Sequence, residues 1–168
     1  MTLPMTDSLT LDGFDLKILA ALQEDGRLGN QELAERVHLS ASQCSRRRLR
    51  LEERGVVRGY RADLAPEPLG LRVTVFTKVA LATHNRDNAR RFAELVRGLD
   101  SVLEAHVMTG DSDYLLKLIV PDLKALSALV NDVLLPHESV AHVHSSVVLD
   151  TLKAAAPLPL PRGPAAGG

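Results

Sequence analysis

The chain has 168 residues, enough for one large domain or two small ones with a core that needs no covalent staples. Hydrophobic residues make up 45% and charged residues 24%, as in ordinary soluble globular proteins, while aromatics at 3% without tryptophan argue against stacking platforms for bases or sugars. The single cysteine, Cys44, excludes an intramolecular disulfide framework or a cysteine-based metal cluster and fits a reduced, cytoplasmic setting.

The opening MTLPMTDSLT lacks the basic-then-apolar run of a signal peptide, and no apolar stretch approaches the roughly 20 residues that span a bilayer, so no membrane partner is expected. The formal net charge of −1 hides an asymmetry. Residues 36–61 carry eight arginines (Arg36, Arg46, Arg47, Arg48, Arg50, Arg54, Arg58, Arg61) against Glu52 and Glu53, so this window is +6 and the remainder −7. A basic block in an otherwise acidic chain points to a local site for a polyanion.

In chain order, residues 1–10 read as a flexible N-terminus and 11–55 as three short helices. The first, Asp12–Glu24, sets Leu16, Ile18, Leu19 and Leu22 on one face and stops before Gly26. Asn30 is the expected N-cap of the second, which holds Leu33, Ala34 and Val37 on one side. Ser40 caps the third and forms a capping box with Gln43; Gly55 ends it. The His38-Leu39 connection allows only a sharp turn, which predicts a helix-turn-helix. Residues 56–70 read as a strand-like linker broken at Pro66, Pro68 and Gly70.

A different rhythm follows over residues 71–153. Strands are predicted at Leu71–Thr83, Val102–Thr109, Asp113–Val120 and Ser139–Leu149, with helices at Arg86–Leu99 and Asp122–Leu135. The fold class is therefore α+β: a helix-turn-helix, winged-helix-like unit followed by a ferredoxin-like βαββαβ domain. The first strand is apolar on both faces, yet helices cover only one face of such a sheet. A homodimer through the uncovered face is the expected remedy. The segment from 154 to 168, AAPLPLPRGPAAGG after Ala154, has no periodicity and reads as a disordered tail.

Turned at ~100° per residue, the third helix puts Cys44 and Leu51 inward and Ser42, Gln43, Arg46 and Arg50 outward, with Arg47 on the flank. This division suits a helix in the major groove of double-stranded DNA, where outer residues reach base edges and arginines grip phosphates. Arg46 and Gln43 are the expected base contacts, beside Ser42; Arg47, Arg50 and Arg54 are the expected phosphate contacts. Arg48 falls near the inward seam and Leu49 outside, the reverse of simple amphipathicity. His142 and His144 share one strand face and His106 the same sheet; without an evident third ligand, interface histidines are expected rather than a metal site.

The run LDGFDLKILAALQEDGRLGNQELAERVHLSASQCSRRRLRLEERGVVRGYRADL resembles the DNA-binding half of the Lrp/AsnC family of transcription regulators. FTKVAL, VMTGDSDYLLKLIVPD and VHSSVVLDTLK resemble its effector-binding domain, so the likeness covers about residues 11–153. Two departures stand out: Ala41 and Gln43 where the family commonly has proline, and an Arg48-Leu49 order that inverts its usual apolar-then-basic pair. The resemblance implies a homodimer assembling further, often to an octamer, and a small-molecule effector, usually an amino acid, in place of any cofactor. It implies effector contacts at the turn Thr109, Gly110, Asp111, Ser112 and Asp113, with Ser145 and Ser146 of a neighbouring subunit nearby. An enzyme is not expected: there is no phosphate-cradling glycine loop, nucleophile elbow or metalloprotease spacing. The alternative is a sirohaem decarboxylase-like enzyme on the same two-domain plan, whose DNA-facing surface need not be basic. RNA binding is disfavoured because the third strand offers only Tyr114 for stacking.

Overall fold

The computed structural model describes residues 10–161. The flexible segment expected at 1–10 thus lies outside the described residues except for Thr10, as do residues 162–168 of the tail. The chain divides into two compact units, one of residues up to Asp63 together with those from Lys153 onward, the other Leu64–Leu152.

In the first unit, helix α1 spans Gly13–Glu24. Asp12 caps it by accepting the N–H groups of Phe14 and Asp15, and the Asp15 carboxylate accepts the Asp12 N–H in return. Helix α2 spans Asn30–Val37, so Asn30 is its first helical residue rather than its cap. Gly29 takes the cap position because the Glu32 carboxylate reaches back to its N–H at 2.8 Å. His38, at φ 59°, turns the chain through the left-handed region after α2. Helix α3 spans Ala41–Glu53, capped by Ser40 and Gln43 as the sequence predicts. Ile18, Leu22, Leu28, Leu33, Val37, Cys44 and Leu51 form the shared core.

Two expectations for the linker and the tail are corrected. The linker has no strand: residues 56–64 run without ladder partners, and Glu67–Leu69 is a 3₁₀ turn. The N–H groups of Val56 and Val57 both bond back to the Leu51 carbonyl, Gly55 sits at φ 68°, and Val57 packs on the helical core instead of pairing. The tail, in turn, is not without contacts: Leu158 and Leu160 meet the helices. Gln23 grips the Leu158 backbone from both sides, its Oε1 accepting the N–H at 2.6 Å and its Nε2 donating to the C=O at 3.2 Å. Leu160 packs against the helical core. Leu19, Leu22, Val56, Val57 and the two tail leucines border a groove of about 540 Å³.

The second unit is a four-stranded antiparallel sheet in the order β2-β3-β1-β4, with β1 Val73–Leu81, β2 Val102–Val107, β3 Tyr114–Val120 and β4 Val140–Val147. Helix α4 (Arg86–Arg97) and α5 (Leu123–Ala128) complete the βαββαβ order; after Ala128, α5 widens into a π-type turn over Leu129–Leu134. Val75, Val79, Phe92, Val96, Leu116, Leu118 and Leu126 make the core. The two-sided character of β1 holds with a qualification. Val75, Thr77, Val79 and Leu81 are buried, whereas Phe76 and Lys78 are exposed, so the open face mixes a 40%-exposed aromatic with charge.

Candidate nucleic-acid interface and effector turn

Helix α3 is fastened to its own unit by three of its four clustered arginines. Arg47 bonds both Asp12 and Asp15 at 2.7 Å, and Arg50 bonds Asp15 at 2.6 Å. The Asp15 side chain is fully buried between them. Burial opposes the charge on Asp12, but the Asp15 N–H and the Arg47 guanidinium hold its carboxyl below the usual range. The same two aspartates hold Arg47 more firmly protonated.

Arg48 goes the other way. Its NH1 donates to the Leu28 carbonyl at 2.8 Å, its Nε lies 2.8 Å from the Tyr60 hydroxyl and 3.1 Å from Glu52, and its guanidinium stacks 4.6 Å from the Tyr60 ring. Tyr60 also donates to Glu52, and its ring lies against Gly26, where a Cβ would come within 3.1 Å of it. An arginine on the inner flank is therefore tolerated because every donor it turns inward meets an acceptor or a π face. Tyr60, Asp12 and Asp15 are the partners that sequence reasoning missed. The spacing carried a signal, since Asp12/Asp15 and Arg47/Arg50 are each one helical turn apart.

What remains outward is a narrower stripe than the arginine count suggests. Ser42, Ser45, Arg46, Leu49 and Glu53 are all exposed, as is Arg54 at the end of the helix. Gln43 is exposed, but its Oε1 is held by Ser40, leaving its Nε2 as the outward donor. Arg46, Arg47 and Arg50 together line a depression of about 370 Å³, with no acidic residue among its walls. Arg47 and Arg50 thus combine a fastening role with an edge that faces the same hollow as Arg46. Cys44 is fully buried, and burial pushes its thiol up, as for a core residue.

In the second unit, the turn joining β2 and β3 exposes Thr109, Gly110 and Asp111, with Gly110 at φ 109°. Asp113 is less free. Its Oδ2 accepts the Leu81 N–H at 2.7 Å and its Oδ1 lies 3.1 Å from His84, which ties the turn to the end of β1. Ser145 and Ser146 divide between the two sheet faces. Ser145 bonds the buried Thr77 at 2.9 Å, while Ser146 opposes Phe76 on the open face. The histidines do share that face, in the row His106–Leu115–Lys78–His144. Three strand spacings separate His106 from His144, about 14 Å, and His106 pairs instead with Glu104. Lys117 and His106 together hold the Glu104 carboxyl low. Among the described residues no cluster of three His, Cys, Asp or Glu side chains suits a metal ion.

A capped third helix held to its neighbours by ion pairs, with a cationic outer edge, has the form of a DNA-reading helix, and a βαββαβ unit follows it. Comparison with known proteins agrees: residues 11–58 match the winged helix-turn-helix DNA-binding family, and residues 74–158 match the Lrp/AsnC ligand binding domain. The leucine-responsive regulatory protein of Escherichia coli is 39% identical over 143 residues, 85% of this chain and 87% of that protein. A transcriptional regulator from Neisseria meningitidis, solved as a complex with L-Met, superposes with a TM-score of 0.86 at 45% identity, covering 89% of this chain and 97% of the other. An AsnC family regulator from Agrobacterium tumefaciens gives 0.82 at 37% identity, covering 88% and 96%. The chain belongs to the Lrp/AsnC family and is a DNA-binding transcriptional regulator. The matched proteins are regulators, which sets aside the sirohaem decarboxylase alternative.

Proposed function

We propose that this regulator couples sequence-specific binding of double-stranded DNA to an amino-acid effector. The observation that carries the DNA side is the outward edge of α3, where Arg46 shares an arginine-only hollow with Arg47 and Arg50 while Arg48 is turned inward. In this reading Arg46, Ser42 and the free Nε2 of Gln43 face base edges. Arg54 and the unpaired edges of Arg47 and Arg50 meet phosphates, which suit planar cationic forks.

The effector side rests on the Neisseria meningitidis relative bound to L-Met. Thr109, Gly110 and Asp111 offer an exposed turn whose carboxylate suits an ammonium group and whose hydroxyl and N–H groups suit a carboxylate. Asp113 supports that turn through Leu81 and His84, and Ser146 is the freer of the two serines. We further propose a homodimer through the open face of the sheet, where Phe76, Ala80 and Leu115 lie between charged residues, assembling to a higher oligomer such as an octamer. No helix among the described residues is long and apolar enough to cross a membrane. Because its proposed partner is DNA, we place the protein in the cytoplasm.

Selection of bound fragments from random DNA, combined with a thermal-shift screen of the twenty amino acids, tests both halves. Enrichment of one motif and a shift with one or a few amino acids are expected. No enrichment refutes the DNA side, and no shift refutes the effector side. Light scattering after size exclusion tests assembly, and a monomer at micromolar concentration refutes it.

A further inference from the structure

Leu49 sits in the middle of the outward stripe of α3, 54% exposed, one helical turn from Arg46 and from Glu53. It belongs to neither hydrophobic cluster. A lone exposed leucine is ordinary on most surfaces. This one is not a by-product of helix amphipathicity, because its neighbour in sequence is an arginine on the inner flank. Exchanging residues 48 and 49 would bury the leucine beside Leu28 and Tyr60 and add a cation to a basic edge. The chain has the opposite arrangement, held by three hydrogen-bond acceptors and an aromatic face around Arg48.

The surroundings of Leu49 decide what it can meet. Its stripe is otherwise polar, with Ser42, Ser45 and Arg46 toward the helix start. An apolar side chain between a cation and small hydroxyls matches the edge of a base pair in the major groove of one kind in particular. Thymine alone presents a methyl group there beside hydrogen-bonding atoms. We propose that Leu49 is a specificity-determining residue that covers a thymine C5-methyl group of the DNA site, next to the base contacted by Arg46. This rests on the DNA-binding reading above and adds the identity of one base to it.

The test uses the full-length protein and a site enriched from random DNA. Each thymine is replaced in turn by uracil, which lacks only the methyl group and keeps every hydrogen-bonding atom. At one thymine per half-site, wild-type protein is expected to bind about fourfold more weakly to the uracil form, the effect of uncovering one methyl group. Leu49→Ala should bind the thymine site about fourfold more weakly than wild type, and should not distinguish thymine from uracil. Because Leu49 is exposed, Leu49→Ala should melt at the wild-type temperature; the uracil scan of wild-type protein stands without any variant. Tolerance of uracil at every position overturns the assignment, as does a Leu49→Ala protein that remains as uracil-sensitive as wild type. A Leu49→Ala protein with altered oligomeric state and unchanged uracil sensitivity also overturns it, assigning the leucine to a protein contact. Failure to enrich any sequence would refute DNA reading as a whole, whereas enrichment with uniform uracil tolerance refutes the role of Leu49 alone.

Discussion

Replacing Asp15 by asparagine removes one charge from the centre of the DNA-binding unit without changing its shape. The carboxylate is fully buried and receives guanidinium donors from Arg47 and Arg50 at 2.7 and 2.6 Å. Two charge-assisted hydrogen bonds at about 1.5–3 kcal/mol each set a gross loss of roughly 3–6 kcal/mol. Part of it is recovered, because Arg47 keeps Asp12 and the Arg50 side chain is 43% exposed and can be hydrated. A net loss of about 3 kcal/mol is expected, in line with removing one member of a buried ion pair. For a chain of this size that lowers Tm by roughly 6–12 °C.

Asp12→Asn is the control. Asparagine caps a helix as well as aspartate, and half of the Asp12 side chain is exposed, so the loss should stay below about 1 kcal/mol. The carboxyl of Asp12 lies below its ordinary value in the folded state. Its contribution is therefore present above the ordinary carboxylate pKa and is lost as pH falls through the folded value, so Asp12→Asn should flatten the acid limb of stability. Thermal and denaturant melts of the two variants suffice. If Asp15→Asn loses no more than Asp12→Asn, the buried charge does not hold α3 in place.

Other consequences can be measured with the same protein. Arg46→Ala should weaken binding to an enriched site more than to random DNA and lower the salt slope by about 1; equal losses on both would leave it a phosphate contact only. Asp113→Asn should destabilise the protein without any effector by about 1–2 kcal/mol, because it weakens the bond to the Leu81 N–H; an unchanged melt would return Asp113 to the effector site alone. Truncation after Lys153 should lower the denaturation free energy by about 1–2 kcal/mol through loss of Leu160 packing and the Leu158 clasp, with Gln23→Ala reproducing part of it; an unaltered midpoint would show the tail to be idle. Cys44 should resist thiol reagents in native buffer and react fully in denaturant, and fast native labelling would contradict its burial.

The sequence made the fold legible where structure is local. Capping boxes, glycine stops and the repeated strand-helix-strand rhythm placed α1, α3, α4 and all four strands within a few residues. It misjudged what depends on distant partners. The linker reads as a strand because Val56 and Val57 are β-branched, but no strand among the described residues pairs with it and Val57 packs on the helices. The tail looked idle because its contacts lie 135 residues away in sequence. At the site, helical projection finds the outward stripe and sets Arg46 and Arg50 apart from Arg47 and Arg48, but it shows none of the partners that hold Arg47, Arg48 and Arg50. Side-chain reach supplies them: Arg47 and Arg50 extend sideways to α1, and Arg48 to Tyr60, leaving Arg46 as the unpaired member of the cluster among the described residues. The resemblance names Ser145 and Ser146 together, although the alternation of a strand sends them to opposite faces.

The clasp between Gln23 and Leu158 also sets an order of events during synthesis. Helices α1 to α3 leave the ribosome first, but the groove they share with Val57 gains its tail wall only after residue 160 has followed. Roughly 100 residues separate the two events, about 5–20 seconds of synthesis at 5–20 residues per second. Through that interval the nascent N-terminal unit presents an open apolar groove, and a neighbouring nascent chain of the same kind carries the segment that fits it.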